Sequence, residues 1–287
     1  MNRVIYILGT GLSINDISEE EWKFLEDKET LGFGGFCYSG IPTKYYMTYE
    51  KVNRPLSTLR NKKINYDNNF DIKLSVINEY RNTDTHMFLF FEEDIRYAIK
   101  CGFKKITPII RSSALFLPSR RGWFMNEPEP PHTFMQTRAH SSLEPLFRFR
   151  GSLSATVNIA LLLRADEIRL VGIDLHPQID FYQDDPDKWI KNEVVKEVFM
   201  NVIMDQRRRK NKFKTRIHEE YDVDEMHFTN VPYYDRNRWR DNALRPMSDV
   251  VEWMDKEMRK EGKEGIFCTS KRSVLCDRLE YKGIMEK

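Results

Sequence analysis

The stretch Glu167-Ile168-Arg169-Leu170-Val171-Gly172-Ile173-Asp174 decides the fold. It is a nearly continuous apolar run that stops at a glycine and a carboxylate, the pattern of a strand covered on both faces in a parallel sheet. Upstream, Ser152 to Leu163 reads as a helix beginning just after Gly151, so a helix feeds a buried strand. Downstream, helices are expected at about 188 to 205 and 246 to 261. The second runs into Gly262 to Gly265 and a last strand over Ile266 to Cys268.

The chain opens with the same alternation. Residues 3 to 8 form an apolar strand, Gly9-Thr10-Gly11-Leu12-Ser13 a turn, and Ser18 with Glu21 a capping box at the start of a helix. Strands are expected over Leu31 to Tyr38 and Lys44 to Tyr49, separated by the turn Ser39 to Pro42, and Ile72 to Val76 alternates in strand fashion. A helix from about Glu92 to Cys101, closed by Gly102, leads into a strand from Lys105 to Ile110. The proline-rich stretch after it, with Arg120, Arg121 and Trp123, is long and irregular, a kind of segment more often functional than structural. These readings give one α/β domain over residues 1–287: a doubly wound, mostly parallel, Rossmann-like sheet, with a lid or acceptor-binding insertion at 111–147 and a mobile segment at 206–245.

At 287 residues the chain can bury a sizeable core, and 40% hydrophobic with 13% aromatic residues excludes a disordered chain. A net charge of +2 is too small to point to a partner. The cysteines Cys37, Cys101, Cys268 and Cys276 contain no C-x-x-C pair, which argues against zinc or a redox motif and for buried free thiols. Val4 to Leu8 is too short for a signal peptide, and no apolar run nears the roughly 20 residues that span a bilayer. The expectation is a cytoplasmic protein, at most peripheral to the inner membrane.

In open parallel sheets the ligand lies beyond the carboxyl ends of the strands, at the switch in strand order. Three segments fall there. Gly9, Thr10, Gly11 and Ser13 form a loop whose glycines let backbone approach a phosphate, although the third glycine of a dinucleotide fingerprint and the lysine of a P-loop are missing. Gly151, Ser152 and Ser154 open the strongest helix after Arg148 and Arg150, an anion site or a plain N-cap. Asp174, His176 and Tyr182 follow the decisive strand; a carboxylate there binds a ribose hydroxyl or takes a proton, and the imidazole and phenol can donate to phosphate.

Together these segments resemble the bacterial lipooligosaccharide sialyltransferases of the Campylobacter and Haemophilus type, and the related family that includes an archaeal 6-hydroxymethylpterin diphosphokinase. That family opens with a strand and a G-N-G-P-S-L loop, where this chain has Gly9-Thr10-Gly11-Leu12-Ser13-Ile14. Its E-I-x-L-x-G-I-D-F-Y strand is matched from Glu167 to Asp174, with Leu175-His176 after it; Tyr182 has the spacing of a further family tyrosine, and Ser270 to Leu275 is similar to its closing turn. Thr10 stands where the family has asparagine, and His176 where it has tyrosine.

The resemblance implies a GT-A-variant-like glycosyltransferase that moves a sugar from a CMP-activated donor to a saccharide hydroxyl with no metal and no cofactor. The Gly9 loop and the Ser152 helix would hold phosphate and ribose, and His176 and Tyr182 would hydrogen-bond the departing phosphate. His227, with His218 in reserve, would deprotonate the acceptor, while Arg120, Arg121 and Trp123 would contact it. Four alternatives stay open: a different nucleotide sugar as donor; a nucleic-acid acceptor, drawn by these arginines and the Arg207 to Arg216 run; Mg²⁺-dependent pyrophosphoryl transfer with Asp174 as an oxygen ligand; and a nucleotide-binding protein without catalysis.

Overall fold

The computed structural model describes residues 2–48, 84–90, 92–100, 102–109, 138–142, 144, 146, 152–175, 180–190, 196, 233–234 and 243–286. Its strands are β1 (Val4–Leu8), β2 (Glu29–Phe33), β3 (Tyr45–Thr48), β4 (His86–Leu89), β5 (Lys105–Pro108), β6 (Glu167–Val171), β7 (Tyr233–Tyr234), β8 (Ala243–Leu244) and β9 (Gly265–Cys268). Seven of them form one sheet in the order β5-β4-β3-β2-β1-β6-β9, and every pairing in it is parallel. From β1 the chain lays strands outward in one direction to β5, then returns to place β6 and β9 on the other side. That is the doubly wound α/β, Rossmann-like arrangement. β7 and β8 make a separate antiparallel pair that the sequence reading did not anticipate.

Among the described residues the helices given bounds are α1 (Glu19–Glu26), α2 (Glu92–Lys100), α3 (Ser152–Leu162), α4 (Phe181–Asp184), α5 (Pro186–Trp189) and α6 (Met247–Lys260). α1 begins as its sequence dictates: the Ser18 hydroxyl accepts from the Glu21 amide while the Glu21 carboxylate accepts from the Ser18 amide. Strand alternation then divides the interior into two faces. Ile5 and Ile7 of β1 join Ile168 and Leu170 of β6 beneath α3 and α6, and Tyr6 and Leu8 join Val171, Phe181 and Ile284 on the opposite face. α3 is buried at every position from Leu153 to Leu161, so this helix lies within the core instead of showing a polar side to water.

Several boundaries differ from expectation. The strand expected to reach Tyr38 stops at Phe33, because Gly34 takes φ +61° and starts a 3-10 turn, Gly34–Ser39, closed by Gly40 at φ +67°. β5 stops at Pro108 instead of Ile110; it is the edge strand, the place where a sheet tolerates proline. β6 stops at Val171 because Gly172 takes φ +65°, so Gly172 to Asp174 belongs to the strand-end loop. Two short helices cover Phe181–Asp184 and Pro186–Trp189, the second started by Asp185, whose carboxylate accepts from the Lys188 amide, and by Pro186 at its first position; of the helix expected at about 188 to 205, Lys196 is described and is helical. Most of 188–205, 111–147 and 206–245, and all of Ile72 to Val76, lie outside the described residues. Where the 111–147 segment is described, Ala139 is docked on α3: its amide donates to Asn158 Oδ1 at 3.1 Å and its carbonyl accepts from Asn158 Nδ2 at 3.2 Å.

Candidate functional site

The strand order reverses between β1 and β6, whose registers run in parallel from Val4 opposite Glu167 to Leu8 opposite Val171. The two loops leaving these strands are laced together. The Gly9 amide donates to the Val171 carbonyl at 2.9 Å and the Gly11 amide to the Gly172 carbonyl at 2.7 Å. The glycines are required by this approach: a Cβ on Gly9 would lie 2.5 Å from Ile173 Cδ1, and one on Gly11 would lie 2.6 Å from Asp174 Oδ2.

Asp174 is the centre of the lacing. Its side chain is 2% exposed, and each carboxylate oxygen accepts from Ser13: Oδ2 from the amide at 2.7 Å and Oδ1 from the hydroxyl at 2.5 Å. With the Gly9, Gly11 and Ser13 amides engaged, those of Thr10 and Leu12 are the donors of the loop without a partner among the described residues. The loop therefore alternates, one amide bonded inward and the next left free, which is how a short backbone segment presents N–H groups to an anion.

Two further segments buttress the loop. After β6, the Phe181 amide donates to the Thr10 carbonyl at 2.9 Å, and Trp189 Nε1 donates to Asn15 Oδ1 at 2.7 Å. Phe181 is wholly buried, against Phe36 and Trp189. After β9, Ser273 Oγ donates to the Ile173 carbonyl at 2.7 Å and the Val274 amide to the Asp174 carbonyl at 3.1 Å. Arg272 makes an exposed two-pronged pair with Asp16 at 3.0 and 2.8 Å. Three strand-end loops thus meet at one point, which brings Asn15, Asp16, Trp189, Arg272 and Ser273 beside the Gly9 loop, residues not nominated as site residues from the sequence. The available signal was the position of Ser270 to Leu275 just past the last strand.

Burial raises the Asp174 pKa above the usual aspartate range, against the lowering effects of the two Ser13 hydrogen bonds and the Arg272 charge. A carboxyl whose folded pKa is raised contributes most stability when protonated, and that contribution falls as pH climbs from the ordinary aspartate value through the raised one. In Asp174→Asn the amide oxygen can accept from the Ser13 amide and the NH₂ can donate to the hydroxyl, so the lacing survives without the charge. Wild type is therefore expected to lose stability relative to Asp174→Asn as pH rises out of the aspartate range, read from urea melts at stepped pH; a constant difference would refute it. Asp174→Ala leaves the Ser13 amide unpaired and is expected to cost about 2–3 kcal/mol.

Of the other residues singled out from sequence, Ser152 is half-buried at the first position of α3, its carbonyl accepting from Thr156 Oγ1 at 2.8 Å. Ser154 is 0% exposed, one turn into the core helix. Tyr182 falls in α4, immediately after Phe181. His176, Gly151, Arg120, Arg121, Trp123, His218 and His227 lie outside the described residues. Among the described residues no cluster of three His, Cys, Asp or Glu side chains could hold a metal, and no helix is long and apolar enough to cross a membrane.

A cavity of about 650 Å³ opens at the opposite, amino-terminal edge of the strands, lined by Arg3, Tyr6, Glu29, Glu167, Arg169 and Lys282. Its charges are taken up by one another, Arg3 with Glu29 at 2.9 Å and Lys282 with Glu167 at 2.8 Å. The carboxyl edge, where strand order reverses, is the edge at which open parallel sheets take their ligands.

Fold and site together define a doubly wound α/β protein with a glycine loop fixed at the topological switch point. No protein-family model and no curated protein matches the chain. Among solved structures it is similar to the sialyltransferase CstII from Campylobacter jejuni in complex with a substrate analogue, cytidine-5'-monophosphate, with 10% identity and a TM-score of 0.41 over 99% of this chain and 87% of that one.

Proposed function

We propose that the crevice between the ends of β1 and β6 binds a nucleotide-activated sugar, CMP-linked, and that the protein transfers the sugar to a saccharide hydroxyl without a metal. The observation that carries this reading is the alternation of engaged and free amides in the Gly9 to Ser13 loop, held rigid by Asp174 at the point where doubly wound sheets take nucleotides. The free Thr10 and Leu12 amides suit a phosphate that gains charge as it leaves, because donors already in place cost no reorganisation. The CMP and sugar assignments rest on the sequence resemblance from Glu167 to Tyr182.

In this reading Asp174 positions the loop, since both its oxygens are bonded to Ser13, and does not touch the substrate. His176 and Tyr182 donate to the departing phosphate, and His227, or His218 in its place, takes the proton of the acceptor hydroxyl. Arg120, Arg121 and Trp123 hold the acceptor. The bond from the anomeric carbon to the phosphate oxygen breaks as the acceptor oxygen bonds to that carbon, and CMP leaves.

Thermal melts with CMP, UDP, GDP and ATP, each with Mg²⁺ and with EDTA, test the reading. A ligand at 100 times its dissociation constant stabilises by about 2.7 kcal/mol, so CMP is expected to raise Tm equally in both conditions. A shift seen with a purine nucleotide and only with Mg²⁺ would replace sugar transfer by pyrophosphoryl transfer. No shift with any nucleotide would remove the proposal.

A further inference from the structure

Cys268 and Cys276 have no redox-motif spacing, yet the fold brings their sulfurs together. Cys268 closes β9 and is 1% exposed; Cys276 lies in the 3-10 turn Val274–Asp277 and is half-buried. The chain between them doubles back because it is tied to the end of β6 at both sides: Thr269 Oγ1 donates to the Leu170 carbonyl at 2.8 Å, and Ser273 Oγ to the Ile173 carbonyl at 2.7 Å. As a result the two Sγ atoms lie 3.0 Å apart, and both thiols donate to the Ser270 carbonyl, at 3.1 and 2.9 Å. Both are free thiols. A disulfide bond is about 2 Å long, so closure needs an approach of only about 1 Å between two side chains already facing each other.

We propose that Cys268 and Cys276 form a redox-active dithiol that closes to an intramolecular disulfide, with a small disulfide such as glutathione disulfide as oxidant. Cys276, the more accessible sulfur, attacks as its thiolate; one glutathione bonds to it and the other leaves as a thiolate. Cys268 then loses its proton and attacks the Cys276 sulfur, expelling the second glutathione. Two protein thiols are oxidised and one small disulfide is reduced to two thiols. The order follows from burial, which raises the Cys268 pKa, with the neighbouring Cys276 thiol adding to the effect. The bond staples the turn that carries Arg272 and Ser273 onto the carboxyl edge of the sheet. This inference is independent of what the strand-end crevice binds.

The test uses the full chain, reduced, desalted and exposed to glutathione disulfide, then alkylated and digested with trypsin without reductant. The expected result is an intact mass lower by two hydrogens and a cross-link between the peptide of residues 264–271 and that of residues 273–278, with Cys37 and Cys101 still alkylated. Amides of residues 273–276 are expected to exchange several-fold more slowly after oxidation. Cys276→Ser, a small change at a half-buried position, is expected to melt as the reduced wild type does and to give no cross-link. A stable glutathione adduct on Cys276, pairing with Cys37 or Cys101, unchanged exchange, or four alkylated cysteines under conditions that oxidise dithiothreitol would each overturn the proposal.

Discussion

Replacing Arg169 by methionine is expected to destabilise the protein by about 3–5 kcal/mol, because it breaks a buried ion pair from one side only. Arg169 sits in the middle of β6, opposite Tyr6 of β1 and Phe267 of β9. Its side chain is 2% exposed, and its guanidinium makes three bonds: Nε to Glu167 at 2.5 Å, and Nη1 to the carbonyls of Gly283 and Ile284 at 2.7 and 2.9 Å. Methionine fills similar space but removes the guanidinium donor from both carbonyls, leaving Gly283 with the Glu286 amide and Ile284 with the Tyr6 hydroxyl, and leaves Glu167 with Lys282 alone. Urea melts measure the loss, and trypsin cleavage at Lys282 reports release of the C-terminal segment. Burial by itself would raise the Glu167 pKa; Lys282 and Arg169 outweigh it and bring the group below the usual range. A depressed carboxylate contributes stability above its unfolded pKa and loses it as pH falls through the folded one, so Arg169→Met is expected to lose less stability than wild type on acidification. In the double variant with Glu167→Gln the cost should fall below the sum of the singles, since the partner no longer needs the charge. A single variant within 1 kcal/mol of wild type would show that the pair does not hold the C-terminal segment.

The sequence pattern around Arg169 also shows what a one-dimensional reading can and cannot reach. The run from Glu167 to Val171 announces a buried strand, the Ser18 and Glu21 box announces α1, and Gly102 at φ +87° ends α2. Each of these is settled by residues within a few positions of one another. The site is not. Ser13 and Asp174 are 161 residues apart, and Arg272 and Asp16 are 256 apart. Their partnership exists only once β1, β6 and β9 are neighbours in the sheet. The short strand β4 is not legible in the sequence because four residues carry no usable period, and the pattern extends β2 past its end because Gly34-Gly35 reads as a strand interruption as readily as a turn. A charged residue at Arg169 inside an otherwise apolar strand was, by contrast, a visible signal that something must meet it, and Glu167 two residues earlier on the same face was the nearest candidate.

Gly172→Ala is expected to cost about 3 kcal/mol, from a strained backbone and an overfilled contact acting together. Gly172 holds φ +65°, and a Cβ there would fall well inside contact distance of Ile14 Cδ1 and Cγ1 and 3.2 Å from the Gly9 carbonyl oxygen. Ile14 is 0% exposed, enclosed by the face that includes Leu8 and Val171, so it has nowhere to retreat. The loops after β1 and β6 must then part, which strips the Gly9 and Gly11 amides of their partners and releases Ser13 from Asp174. Gly34→Ala separates the two contributions. Gly34 has nearly the same φ, +61°, but a Cβ there meets nothing within 4 Å, so it carries the backbone strain alone, about 1–2 kcal/mol. Chemical melts of the two variants give the packing cost at the switch point as their difference. Ile14→Ala placed in the Gly172→Ala background is expected to recover part of that difference, because it removes the atoms the new methyl would strike. Equal losses in the two glycine variants would mean that the loops can part freely. The amides of Thr10 and Leu12 would then not be held in place, and the proposed phosphate site would lose its physical basis.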